Sequence, residues 1–254
     1  MHKKYFFFDI DGTLAPDGTL QMPARTVQCL QKLRQNGHFI ALATGRLQSN
    51  AMEFAVQHGF STVVADGGQS VTLDGTLLYM ESLPVERCAT LCDGLDRQGI
   101  PWAVNVENAT IRLSRDSRFE QTAGDSYFET RLAPDLAVGQ LPAVYKVFIA
   151  CTPAQQGQID LCGLPAVRFS PHCLYIEPTD KAKGIRRVMD ALGAPYEDVV
   201  VFGDGTNDQN MFCPVWLSIA MGNACQALKD AADYVTGDCA DSGIWDACQH
   251  FGWI

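Results

Sequence analysis

Nothing in this sequence is long and apolar enough to span a membrane: no run approaches the roughly 18 consecutive apolar residues that a span needs. A basic excess is also missing. Lys and Arg number 19 against 29 Asp and Glu, a formal net charge of −10, which excludes nucleic acid and anionic membrane as expected partners. An anionic ligand would therefore have to be drawn in by a local cation. Ten cysteines are present, but no two stand as a CxxC pair, and the Cys88/Cys92 spacing fits one face of a helix. That argues against zinc. The start, Met1-His2-Lys3-Lys4 and an aromatic run, resembles a secretory signal only until Asp9 interrupts it. Reduced, mostly buried thiols and a cytoplasmic location are the expectation. Internal repeats and low-complexity linkers are absent too. The 254 residues leave room for one large α/β domain, or for a core and a smaller companion.

The richest stretch is Tyr5-Phe6-Phe7-Phe8-Asp9-Ile10-Asp11-Gly12-Thr13-Leu14. Its apolar run from Tyr5 to Ile10 reads as a buried strand of a parallel sheet. Strand alternation sends Asp9 and Asp11 to the same side. Two like charges so close raise one pKa or call for a cation between them. The plainer reading is a strand-end acid followed by an Asp11-Gly12 turn.

Further along, 24–34 has helical spacing and stops at Asn36-Gly37, and 38–43 is a second buried strand ending in Thr44-Gly45-Arg46. A helix runs from Ala51 to His58, a short strand covers 63–65, and 71–79 is a hairpin turning at Asp74-Gly75. This β-α-β-α-β order predicts a doubly wound sheet with functional groups at the carboxyl ends of its strands. Asp9, Asp11, Thr44 and Arg46 are therefore expected to converge. From about Glu81 the texture becomes α+β: a helix over 84–97, strands at 102–106, 110–113, 144–150, 167–170 and 174–176, and a helix over 153–161. The stretch 114–140 carries no clear assignment. Trp102, Tyr127, Phe128 and Tyr145 could line a pocket, although aromatics more often fill cores. The α/β texture returns at Lys181, with a helix over 183–192, a strand over 199–202 ending in Gly203-Asp204-Gly205-Thr206-Asn207-Asp208, and a helix beginning at 209–212. A strand at 217–221, a helix at 224–232, an edge strand at 234–235 and a final helix at 244–251 complete the chain.

Three strand ends thus carry acids or hydroxyls: Asp9/Asp11, Thr44, and Asp204/Asn207/Asp208. Oxygen ligands gathered at one sheet edge suit a hard dication, and Mg²⁺ takes a few carboxylates together with a substrate phosphate. Gly12 and Thr13 offer backbone N–H groups as a phosphate cradle. Thr44 offers a hydroxyl and Lys181 a flexible ammonium.

These residues resemble the motifs of the haloacid dehalogenase (HAD) superfamily, in its Cof-type sugar phosphatase branch. The resemblance rests on Asp9-Ile10-Asp11-Gly12-Thr13, Ala43-Thr44-Gly45-Arg46, Asp180-Lys181-Ala182-Lys183-Gly184-Ile185 and Gly203-Asp204-Gly205-Thr206-Asn207-Asp208, in that order. Ala220-Met221-Gly222-Asn223-Ala224 and Ala231-Ala232-Asp233-Tyr234-Val235-Thr236 are similar to the family's late strand and edge. The resemblance implies a Rossmann-like core, residues 1–80 and 179–254, with an α+β C2-type cap inserted at 81–178 that closes over the site and selects the substrate. It implies a Mg²⁺-dependent phosphatase acting on small phosphorylated metabolites, probable sugar phosphates, with Asp9 as nucleophile and Asp11 as general acid and base. Thr44 and Lys181 would hold phosphoryl oxygens, with Gly12, Thr13, Gly45, Arg46 and Asn207 as further substrate or phosphate contacts. The metal would be held by Asp9, Asp11 (through its carbonyl), Asp204 and Asp208. The approach to Lys181 is about two residues shorter than usual in the family, which leaves Lys183 as the alternative phosphate lysine. A phosphomutase of the same superfamily and a receiver-like phospho-aspartate switch are the rival functions.

Overall fold

The computed structural model describes residues 2–16, 18–124 and 127–254, with the side chain of Phe169 not described. Met1 of the basic start, and residues 125–126 of the unassigned stretch, lie outside the described residues. The chain divides into two compact units, residues 1–80 with 179–254, and residues 81–178.

The first unit begins with β1 (Tyr5–Phe8), α1 (Ala24–Gln35), β2 (Phe39–Ala43), α2 (Gln48–His58), β3 (Val63–Ala65), β4 (Ser70–Leu73) and β5 (Thr76–Met80). The second unit follows with α3 (Val85–Gln98), β6 (Trp102–Asn105), β7 (Ile111–Ser114), α4 (Arg118–Ala123), β8 (Glu129–Leu132), β9 (Lys146–Ile149), α5 (Pro153–Gln156), β10 (Ala166–Ser170) and β11 (Cys173–Ile176). The chain then returns to the first unit through α6 (Lys181–Leu192), β12 (Val199–Gly203), β13 (Leu217–Ala220), α7 (Gln226–Ala231), β14 (Tyr234–Val235) and α8 (Gly243–His250).

In the first unit eight strands form one sheet in the order β14-β13-β12-β1-β2-β3-β4-β5. All neighbours from β14 to β3 run parallel, and the β4–β5 hairpin is antiparallel. Asp74 and Gly75 both have positive φ (46° and 79°), the backbone that a tight two-residue hairpin turn requires. β1 is central and apolar on both faces. Phe6 and Phe8 pack with Leu30, Phe54, Phe202 and Ile244 on one face, and Phe7 packs with Ile185, Val188 and Val201 on the other. A strand buried on both sides must be sandwiched by helices, which is why the unit is doubly wound. From β1 the chain winds outward through β2 and β3, and after its return it winds the opposite way from β12. The crevice at the carboxyl ends of β1 and β12 is therefore the topological switch point, where ligands bind in such sheets.

In the second unit a six-stranded sheet runs β10-β11-β9-β6-β7-β8, antiparallel except for β7–β8. One face packs Val104, Val147, Ile149 and Leu174 against Cys88, Leu91 and Leu95 of α3. The other carries a buried Lys146–Glu177 ion pair and the fully buried Arg112, whose guanidinium lies 4.8–5.7 Å from the ring centres of Phe119, Phe128 and Phe148. Trp102 is core, its indole N–H donating to Asp96 at 2.7 Å.

Three expectations need correction. The first strand ends at Phe8, although the Asp9 N–H still donates to the Phe202 carbonyl. The helix expected over 153–161 stops at Gln156: a Thr152/Gln155 capping box starts it and Gly157 follows at once. The helix expected from 209 is a 3₁₀ run, Thr206–Met211. Among the described residues no disulfide is formed, and no helix is long and apolar enough to cross a membrane.

Phe202 stacks on Phe8 at 5.0 Å between ring centres, and both are fully buried. Phe202→Ala should cost about 3–5 kcal/mol of unfolding free energy in a denaturant titration, the usual range for a buried aromatic. A loss under about 1 kcal/mol would mean that this face of the sheet is not close-packed.

Candidate active site

The site is built on the carboxyl ends of β1, β2 and β12 and on the first turn of α6. Asp9 follows β1 directly and is buried. Lys181 opens α6, where the Asp180 side chain caps the helix by accepting from the Lys183 N–H at 3.1 Å. That cap fixes which lysine turns inward. The Lys181 ammonium, with no exposed surface, donates to Asp9 Oδ1 at 2.6 Å and to Asp208 Oδ1 at 2.5 Å. Lys183, by contrast, contributes its backbone to the cap.

Asp208 is also fully buried. Its second oxygen, Oδ2, accepts from the N–H groups of Asp204 and Gly205, each at 3.0 Å. This winds the 204–208 segment tightly and explains the 3₁₀ run in place of an α-helix. Asp204 accepts from the Thr13 hydroxyl at 2.8 Å. Gly12, at φ 78°, lets the backbone pass close to it: a Cβ there would lie 2.2 Å from Asp204 Oδ2. Oxygens of Asp9, Asp204 and Asp208 all lie within 4.8 Å of one another. Two of these carboxylates, Asp9 and Asp208, bond the Lys181 ammonium. That donor set fits a hard dication with oxygen preference.

Burial pushes the Asp9 carboxyl well above the ordinary carboxylate range. Lys181 opposes the rise, and the charges of Asp208, Asp204 and Asp11 add to it. For Lys181, burial acts to lower the pKa, but Asp208 and Asp9 outweigh it and hold the ammonium above its ordinary value. Asp9 Oδ2 carries no hydrogen bond among the described residues. It is the oxygen left available for chemistry.

Two expectations about the first motif are revised. Asp11 does not join the acid cluster. Its carboxylate is half-exposed and gripped by the Arg46 guanidinium, with Nη2 to Oδ1 at 2.5 Å and Nε to Oδ2 at 2.9 Å. Since the strand ends at Phe8, alternation no longer governs the direction of Asp11; the metal contact expected of this residue, through its carbonyl, does not involve the carboxylate. The Gly12 and Thr13 N–H groups do not form an open cradle either. Ala15 folds back to bridge Asp11, so that Gly12 N–H donates to the Ala15 carbonyl (2.8 Å) and Thr13 N–H to the Ile10 carbonyl (3.3 Å). The amides of the turn without an acceptor among the described residues are those of Ile10 and Asp11, two positions earlier.

Thr44 is buried at the end of β2. Its hydroxyl oxygen accepts from the Arg46 N–H at 3.1 Å, leaving its proton to donate. Gly45 lies between these two residues, partly exposed. Arg46 itself is aligned by Phe54, 5.5 Å from the ring centre, as well as by Asp11. Asn207 stands partly exposed beside Gly205, outside the acid cluster. Sequence reasoning gave Asn223 no role, yet its amide ties the Gly12 turn to the chain at Cys239. Nδ2 donates to the Gly12 carbonyl and Oδ1 accepts from the Cys239 N–H, each at 2.8 Å. Its place in the late-strand motif was the available signal.

A family model described as haloacid dehalogenase-like hydrolase matches residues 6–248. The chain belongs to this family. As such it is a phosphoric monoester hydrolase, and HAD hydrolases generally use a divalent metal. It is 36% identical, over 98% of its own length and 95% of the other's, to 5-amino-6-(5-phospho-D-ribitylamino)uracil phosphatase YcsE of Bacillus subtilis. Pyridoxal phosphate phosphatase YbhA of Escherichia coli is 25% identical over 94% of each chain. The chain spans about half (54%) of one further curated relative and 99% of another. Among solved structures, the HAD subclass IIB sugar phosphatase BT4131 superimposes with a TM-score of 0.82 at 25% identity, covering 99% of this chain and 100% of the other. The HAD fold, a parallel-rich α/β core with an inserted cap, is shared.

The burial of the Asp9 carboxyl has a measurable consequence in metal-free buffer. A carboxyl whose folded pKa is raised above its ordinary 3.8 favours folding when protonated. That contribution is lost as pH climbs past 3.8 toward the raised value. Asp9→Asn should therefore melt higher than the parent in excess chelator at neutral pH, with an advantage that shrinks toward acid pH. A lower melting temperature for the variant at neutral pH would contradict this electrostatic account.

Proposed function

We propose that the chain is a Mg²⁺-dependent phosphatase of small phosphorylated metabolites, sugar phosphates among them, that works through an aspartyl phosphate on Asp9. The observation that carries this reading is the buried Asp9 carboxylate, with one oxygen held by Lys181 and the other without a hydrogen bond among the described residues. A buried carboxylate fixed by one oxygen presents the other along a set direction, as an in-line nucleophile must.

In the first step Asp9 Oδ2 attacks phosphorus and the bond to the ester oxygen breaks, while Asp11 gives a proton to the leaving oxygen. In the second, Asp11 takes a proton from water, which attacks the phosphorus and releases Asp9 and inorganic phosphate. Thr44 and Lys181 would donate to phosphoryl oxygens as charge builds there, together with the Ile10 and Asp11 amides. Asp9 and Asp204 would hold the metal, with the Asp11 carbonyl. Asp208, both of whose oxygens are already bonded, would hold the loop and Lys181. Bound Mg²⁺ supplies screening between an anionic carboxylate and an anionic phosphate.

The relatives' names support small metabolites as substrates. Lys181 and Arg46 supply the local cations that a chain of net charge −10 needs to attract an anion. The inserted unit at 81–178 would choose among substrates, and scattered cysteines with no CxxC pair go with a cytoplasmic setting.

The test is phosphate release from a panel of small phosphoesters. Turnover should require Mg²⁺, stop reversibly in chelator, vanish in Asp9→Asn and fall by about 10²–10⁴ in Asp11→Asn. Activity that survives in excess chelator, or in Asp9→Asn, would remove the metal or the nucleophile from this scheme.

A further inference from the structure

The three residues after β3, Asp66-Gly67-Gly68, all have positive φ, at 49°, 58° and 101°. Successive left-handed residues are costly, and an Asp at φ 49° needs its surroundings to hold it there. Here the Asp66 side chain is buried, and its Oδ2 accepts from the Gln48 N–H at 3.1 Å and from the Ser70 hydroxyl at 2.8 Å. The strained turn is thus fixed to the start of α2 on one side and to β4 on the other.

What the turn touches gives the strain a use. The Gly67 N–H donates to the Thr44 carbonyl at 3.1 Å, and the Asp66 N–H to the Arg46 carbonyl at 2.8 Å. On the opposite side, Gly68 abuts the start of α6. A Cβ on Gly68 would lie 2.0 Å from the Asp180 carbonyl oxygen and 3.1 Å from Lys181 Cα. The approach is reciprocal, because a Cβ on Gly184 would lie 3.1 Å from Gly68 Cα and 2.3 Å from Val64 Cγ1. One turn therefore fixes the backbone at Thr44 by a hydrogen bond and the backbone at Lys181 by contact. These residues come from distant parts of the chain.

We infer that the Asp66-Gly67-Gly68 turn is a positioning element that sets the spacing of Thr44 and Lys181 across the phosphoryl site. The inference rests on the reading of those two side chains as phosphoryl ligands. The turn touches no reacting atom. It acts through the two backbones it holds, so its loss should appear in the transition state more than in ground-state binding. A displacement of about 1 Å is enough to cost on the order of 10² in rate.

The test compares the parent with Gly68→Ala, Asp66→Ala and Asp66→Asn, using p-nitrophenyl phosphate with Mg²⁺ and inhibition by vanadate, which mimics the five-coordinate phosphorus. In Gly68→Ala, kcat should fall by about 10²-fold, vanadate inhibition should weaken in step, and KM should move far less. Asp66→Asn keeps a residue that tolerates the left-handed region and an acceptor oxygen, and should retain most of the rate. Asp66→Ala keeps neither and should lose it while still folded at the assay temperature. If Gly68→Ala does not fold, the Asp66 pair decides. Folded variants with parental kcat and vanadate inhibition would overturn the inference, as would equal losses in Asp66→Asn and Asp66→Ala. A parent without Mg²⁺-dependent phosphate release would instead contradict the phosphatase reading itself.

Discussion

The ammonium of Lys181, wholly removed from solvent between Asp9 and Asp208, is the interaction on which the catalytic unit turns. Burying such a charge costs several kcal/mol unless it is answered at close range. The answer comes from two carboxylates at 2.5–2.6 Å, one after β1 and one in the 3₁₀ run after β12. Three remote stretches of sequence are thereby tied at a single point, which is why the strand ends meet with the register they have. The same point brings Asp9 and Asp208 within 4.8 Å of an Asp204 oxygen. Clustered carboxylate oxygens of this kind fit a dication.

The rest of the unit can be read as support for that arrangement. The all-apolar β1 puts Asp9 at the switch point, because a strand buried on both faces can only lie in the middle of a doubly wound sheet. Gly12 lets the first turn pass within van der Waals reach of Asp204, and Asn223 holds the carbonyl of that glycine from the far side. Arg46 turns Asp11 away from the acid cluster and toward the site's exposed edge. The two aspartates of the first motif are therefore different in kind. One is buried and bonded to an ammonium; the other is half-exposed and held by a guanidinium.

Much of this was legible in the sequence, for definite physical reasons. Buried parallel strands are short apolar runs, so β1, β2, β3 and β12 could be placed, and with them the residues just beyond their ends. The direction of Asp11 could not be read, since it depends on Arg46 arriving from another strand end. The open turn amides lie two positions before the expected ones because the return of Ala15 to bridge Asp11 is a property of the folded turn, with no local signature. The Asp66-Gly67-Gly68 sequence was visible as a strand end, yet its weight lies in a close approach to α6 more than a hundred residues later. In the inserted unit, 114–140 resisted assignment because its elements, α4 and β8, are short, and β8 is held by parallel pairing with β7.

The central claim is that Asp9, and not water, attacks phosphorus first. The most direct test is the stereochemical course at phosphorus, followed with a phosphorothioate ester whose two non-bridging oxygens are different isotopes, turned over with Mg²⁺ in water of the third oxygen isotope so that the thiophosphate released is chiral. Two in-line displacements, the first by Asp9 and the second by water, each invert the centre, so the account predicts net retention. Net inversion would mean a single direct attack by water, and would contradict it.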